Sequence, residues 1–257
     1  MAAKFTSADV LRELEAASTP ARAVGAARFF KTGPGEYGEG DLFVGVTVPA
    51  TRKIAQRYRD LPTPELLRLL KHPAHEARLT ALLILIDKSK RAEPNTQREL
   101  FDLYLAHTRY INNWDLVDGS ARDIFAPHIR RSRALLTRLA GSTTLWERRI
   151  AIIATMALIR EGELGESFRI AELLLDDTHY LIHKAVGWTL REAGRIDRPA
   201  LLRFLETHYT RLPRTALRYA VEHFPAATRK HLLRGEFQSE PSAANTSTGS
   251  GRTRKSA

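Results

Sequence analysis

Trp114 and Asp118 lie four residues apart in the run Asn112-Asn113-Trp114-Asp115-Leu116-Val117-Asp118. On a helix that spacing puts both side chains on one face. A ring face and a carboxylate one turn apart both attract positive charge, so the pair suits a cationic ligand. Asp118 has a second reading as a helix cap, because Gly119-Ser120 follows and could mark a break. Asp115 is the rival carboxylate. It sits about 100° around the helix from Trp114 and is expected to bond a neighbouring backbone group or an arginine. Of the three tryptophans, Trp114, Trp146 and Trp188, Trp146 reads as core packing. Trp114 and Trp188 read as cleft residues.

Other chemistries find no support. Cysteine is absent, which excludes disulfides, thiolate metal sites and a cysteine nucleophile. The nine histidines show no HExxH spacing, so no zinc or other metal site is expected. No serine has a G-x-S-x-G context. The glycine-rich stretch Thr32 to Asp41 lacks the Lys-Ser/Thr of a phosphate-binding loop and does not follow a strand.

The elements that must hold these residues are helices. Ser7 to Ala17 reads as a first helix with Ser7 as N-cap, and Ala21 to Lys31 as a second. Leu42 to Val48 fits a short strand or an extended connector equally well. Thr63-Pro64-Glu65 is an N-cap followed by proline in the first turn, and further helices follow over Ala74 to Lys88 and Asn95 to Thr108. After Arg218 a helix is expected to run to Phe224 and stop at Pro225.

The apolar helices align with one another. The segments starting at Glu76, Asn112, Glu147, Ile182 and Leu212 fit one frame, whose third positions are 78, 114, 149, 184 and 214. Their spacing is roughly 35 residues, the period of an α-solenoid built from helix pairs. The expected fold is therefore all-α, a solenoid of HEAT-like repeats over residues 1–235 with a concave basic face. Residues 236–257 turn to Ser, Thr, Gly, Ala and Asn and read as a disordered low-complexity tail. In this register Trp114, Asp118, Arg149 and Trp188 converge on one concave patch, with Lys184 in the same column.

The chain has 257 residues, 43% hydrophobic and 27% charged, which is the balance of a soluble globular protein. No apolar run approaches a membrane span and the N-terminus lacks a signal-peptide core, so a cytoplasmic protein is expected. The net charge of +11 points to a polyanion, most simply nucleic acid. Only 8% of residues are aromatic, which favours a duplex backbone over a single-strand stacking platform. The run Arg130-Arg131-Ser132-Arg133, with Arg138 and Arg148-Arg149 beyond, is expected to position phosphates.

Together these motifs resemble one family. The 112–118 run, Trp146-Glu147-Arg148-Arg149, and His183 to Glu192 are its most specific pieces, with the glycine-rich loop and Pro213 to Tyr219 also typical. Over roughly Phe29 to Phe224 the chain resembles the AlkD-type DNA alkylpurine glycosylases of DNA alkylation repair. The resemblance implies hydrolysis of the N-glycosidic bond of cationic N3- or N7-alkylated purines in duplex DNA, without cofactor or metal and without extruding the base. No lysine need act as a Schiff-base nucleophile, so a monofunctional glycosylase without lyase activity is expected, and a concave DNA cradle works as a monomer. The family's catalytic aspartate falls on Asp118 and its cleft tryptophans on Trp114 and Trp188. Its DNA-contacting arginines fall on Arg149 and Arg191, and a family tyrosine falls on Phe29, which lacks the hydroxyl. Two other readings stay open at this level: a non-catalytic HEAT-like duplex-binding protein and a protein-interaction scaffold.

Overall fold

The computed structural model describes residues 5–237. Its α-helices are, in order, α1 (Ser7–Ala17), α2 (Pro20–Phe29), α3 (Val48–Arg57), α4 (Thr63–Leu70), α5 (His75–Arg91), α6 (Pro94–Ala106), α7 (Trp114–Phe125), α8 (Arg133–Ala140), α9 (Leu145–Ala154), α10 (Met156–Ile159), α11 (Gly165–Leu173), α12 (Tyr180–Ile196), α13 (Arg198–His208), α14 (Arg214–Ala220) and α15 (Ala226–Leu232). No strand occurs among the described residues. An isolated bridge between Leu42 and Ala74 is all that becomes of the extended 42–48 segment.

The arrangement is a helical-repeat solenoid. Helices α5, α7, α9, α12 and α14 stack in series, each against the next. A second row lies alongside, with α3 and α4 on α5, α8 on α9, and α11 and α13 on α12. The five frames aligned in the sequence fall on the five serially stacked helices. Their burial explains why. Helix α5 hides residues on every side, from Ala77 and Leu82 to the polar Glu76 and Arg78, as a helix covered by two neighbours must. By contrast α2 buries none of its residues and carries Phe29 to the surface.

Local chemistry sets the helix ends. Thr6, not Ser7, caps α1, in a reciprocal capping box with Asp9, because Thr6 keeps extended backbone while Ser7 is already helical. Pro62 occupies the cap position of α4, so Thr63 is the first helical residue. Helix α14 ends at Ala220, short of Phe224, and a separate helix α15 starts behind Pro225. Close approach between α12 and α14 depends on Gly187. A Cβ there would lie 2.5 Å from the Ala216 carbonyl oxygen and 2.6 Å from the Tyr219 Cβ. The low-complexity tail lies, from residue 238 onward, outside the described residues.

Candidate active site

Helix α7 begins at Trp114. Asn113 is fully buried in extended backbone, and its side-chain oxygen accepts the Trp114 N–H at 2.8 Å. Trp114 is thereby pinned as the first helical residue. Asp118 follows one turn later inside the helix, which continues to Phe125. Gly119-Ser120 therefore makes no break, and Asp118 is not a cap.

A cleft of about 550 Å³ opens over this face. Trp114, Asp118, Arg149, Lys184, Trp188, Arg191 and Phe29 all line it. The convergence expected from the repeat register is present. Five residues missed by the sequence reading complete the walls: Lys31, Tyr37, Tyr180, Leu181 and Tyr219. Tyr37 comes from the glycine-rich loop and Tyr219 from the Pro213 motif, both noticed without a role. Lys31 and Tyr180 left no signal in the spacing. Lys31 reaches the cleft because the chain leaves α2 in the left-handed region there, at φ 52°.

The aromatic side is layered. Phe30 stacks on Trp114 at 5.2 Å and Phe29 meets Trp114 edge-on at 5.9 Å. Phe29 is 66% exposed, so it forms a rim rather than a floor. It brings no hydroxyl, but the Tyr37 hydroxyl lies beside it and donates to the Phe29 carbonyl at 3.5 Å. On the far side the ammonium groups of Lys31 and Lys184 lie 5.6 and 5.3 Å from the Tyr180 ring centre. Arg191 bonds Glu192 and Glu222 while still facing the cleft.

At the base of the cleft Arg149 grips Asp118. Its Nε donates to Oδ1 at 2.8 Å and its Nη2 to Oδ2 at 2.7 Å, a two-pronged carboxylate pairing. The remaining Nη1 donates to the Leu181 carbonyl. One buried guanidinium thus ties α7, α9 and α12 together. Burial raises the Asp118 pKa above its ordinary value, while the charge and hydrogen bonds of Arg149 pull it back down. Each carboxylate oxygen accepts one of these bonds and keeps a further lone pair available for a water or a developing cation.

Several arginines turn out to be occupied elsewhere. Arg130 pairs with Glu161 and Glu163, Arg133 with Glu166, and Arg148 with Asp177. None of the three lines the cleft. These pairings offset part of the charge of the run, while Arg130 and Arg133 stay exposed. Asp115 bonds neither backbone nor arginine; its Oδ2 lies 2.7 Å from His75 Nε2. Trp146 is buried in the core, as its spacing suggested. No group of three or more His, Asp or Glu side chains suited to a metal occurs among the described residues, and none of their helices is long and apolar enough to cross a membrane.

Residues 10–224 match the family described as DNA alkylation repair enzyme. Among solved structures, a predicted DNA alkylation repair enzyme from Enterococcus faecalis is similar in fold, with a TM-score of 0.65 at 16% identity, over 81% of this chain and 97% of that one. No curated protein matches the chain. A match over most of the folded chain, on the same helices that build the cleft, settles its membership: the chain belongs to the DNA alkylation repair enzyme family.

Proposed function

We propose that this protein is a monofunctional DNA glycosylase that removes cationic N3- and N7-alkylated purines from duplex DNA by hydrolysis. The observation that carries the reading is Asp118, held by Arg149 in a cleft it shares with Trp114 and Trp188. An alkylated purine of this kind already bears a positive charge. Its N-glycosidic bond breaks with the electron pair leaving on the base, which departs neutral, and the deoxyribose becomes an oxocarbenium ion. Strong general acid catalysis is not needed.

Asp118 stabilises the cationic sugar and orients a water toward C1′. As the water oxygen bonds to C1′, its surplus proton passes to the Asp118 carboxylate or to solvent. The indoles of Trp114 and Trp188 flank the sugar edge and add cation–π attraction. Lys31, Lys184 and Arg191 along the cleft provide the charge that holds phosphates beside the lesion. Phe29 packs at the rim. The base stays in the duplex, because the polar and aromatic groups address the sugar and backbone. No metal or cofactor enters the scheme. One chain supplies every cleft residue, which supports action as a monomer; we place that action in the cytoplasm.

Incubation with methylated duplex DNA followed by chromatography tests the proposal. Free 3-methyladenine and 7-methylguanine should appear, leaving abasic sites without strand cleavage. Duplex binding with no base release would instead identify a non-catalytic binding protein. Strand cleavage coupled to release would replace hydrolysis with a lysine-dependent lyase.

A further inference from the structure

Beneath the aromatic wall lies a buried polar cluster that the glycosylase chemistry does not use. His75 sits at its centre, 2% exposed. Its Nδ1 lies 3.1 Å from Asp41 Oδ2 and its Nε2 lies 2.7 Å from Asp115 Oδ2. Arg78 donates to the other Asp41 oxygen, and the Asn113 amide donates to Asp41 at 3.1 Å. The neighbouring Glu76 carboxylate is turned to the backbone N–H groups of Val44, Gly45 and Val46.

Both ring nitrogens of His75 therefore face carboxylate oxygens. A neutral imidazole has one N–H and one bare lone pair. Placed here, the bare nitrogen would point at an anion. An imidazolium donates to both. The charge count agrees: Asp41 and Asp115 are two anions, and Arg78 supplies one cation. Only a charged His75 balances the side chains joined by these bonds, whereas the buried Glu76 carboxylate, outside that set, is compensated by the three backbone N–H groups it accepts from; an uncompensated buried charge is strongly disfavoured. Burial pulls the His75 pKa down, but the hydrogen bonds and charges of Asp115 and Asp41 outweigh it and hold it above the ordinary value.

The cluster leads to the cleft by three routes. Phe43 stacks on His75 at 4.4 Å, Phe30 stacks on Phe43 at 4.9 Å, and Phe30 stacks in turn on Trp114. Asp41 ends the glycine-rich loop that carries Tyr37, and it also holds Asn113, the residue that pins the Trp114 backbone. Asp115, adjacent to Trp114, pushes the Asp118 pKa upward through its negative charge.

We propose that His75, as a buried imidazolium, is a positioning residue: it locks the glycine-rich loop to the start of α7, seats Trp114, and neutralises Asp115 so that Asp118 stays ionised. Raising the pH strips that proton and leaves one uncompensated anion beside the Trp114 turn. The effect of this set on catalysis rests on the glycosylase reading; its protonation and its hold on Trp114 do not.

The test begins without DNA. In the isotopically labelled full-length protein, the His75 ring nitrogens and the Trp114 indole N–H are followed by NMR from acid to alkaline pH, with His75→Gln and Trp114→Phe used for assignment. At neutral pH His75 should show two protonated nitrogens, and its titration on the alkaline side should move the Trp114 indole signal with the same midpoint. A neutral ring at pH 7, or a Trp114 signal indifferent to the His75 titration, overturns the proposal whatever the enzyme activity.

The second arm reads single-turnover base release. His75→Gln should lose between about 10- and 100-fold, the cost of a small misplacement of catalytic groups. The His75→Gln/Asp115→Asn double variant, which restores the wild-type net charge of the cluster, should recover most of that rate and lose the alkaline limb of the pH profile. A double variant no faster than the single one refutes the charge argument. Failure of the wild-type protein to release any base refutes the glycosylase reading and leaves the NMR arm to decide the other.

Discussion

Arg149 was expected to contact DNA, yet its guanidinium is 4% exposed as a residue and all its donors shown face Asp118 or Leu181. Replacing it with methionine keeps most of the packed stem and removes the donors. The Asp118 side chain, itself only 16% exposed, is left as a carboxylate without a partner. Breaking a buried pair from one side costs roughly 3–5 kcal/mol, and the opening of this pair to the cleft favours the lower end, about 3 kcal/mol. Asp118 can escape part of that cost by raising its pKa further and taking up a proton. Its folded-state pKa is already raised by burial, with Arg149 opposing the rise. The carboxylate, and the activity that needs it, is present above that pKa and lost as pH falls through it.

The expected result for Arg149→Met is an acid limb of single-turnover base release displaced toward alkaline pH, with part of the wild-type rate returning at high pH. The stability deficit, read by thermal melts, should be largest at alkaline pH and shrink as Asp118 protonates. An acid limb identical to wild type, together with uniform weakening of DNA binding at every pH, would refute the reasoning and return Arg149 to the role of a phosphate contact.

Two further substitutions probe the cleft walls. Lys31→Gly removes a cation but relieves the left-handed backbone at φ 52°; stability should be unchanged or rise by at most about 1 kcal/mol, while the salt dependence of duplex binding loses about one phosphate contact. Gly187→Ala forces a Cβ against the Ala216 carbonyl and the Tyr219 side chain; overpacking of about 1–3 kcal/mol should lower the melting temperature and slow base release, since Trp188 and Tyr219 move apart.

The sequence carried the repeat well because burial is written in period. Helices α5, α7, α9, α12 and α14 must each hide a broad apolar face, and that need recurs at a nearly constant spacing. The same register brought Trp114, Asp118, Arg149 and Trp188 into one cleft. What it could not show was pairing at a distance. That Arg149 serves Asp118, that Arg130 and Arg133 are offset by Glu161, Glu163 and Glu166, and that Asp115 meets His75 all depend on side chains brought together from separate helices. Lys31 enters the site through a single left-handed residue, which no hydrophobic pattern records. Tyr37 enters through a loop whose course is set by Asp41 and Gly38 hydrogen bonds rather than by any periodicity.

The account turns on Asp118 acting upon a sugar. Single-turnover release of 7-methylguanine from methylated duplex, measured for wild type and Asp118→Asn beside their duplex affinities, addresses it most directly. Release by the wild type, a loss on the order of 10²–10³ in the variant, and affinities that stay close are the predicted result. A variant that frees the base at the wild-type rate would contradict it.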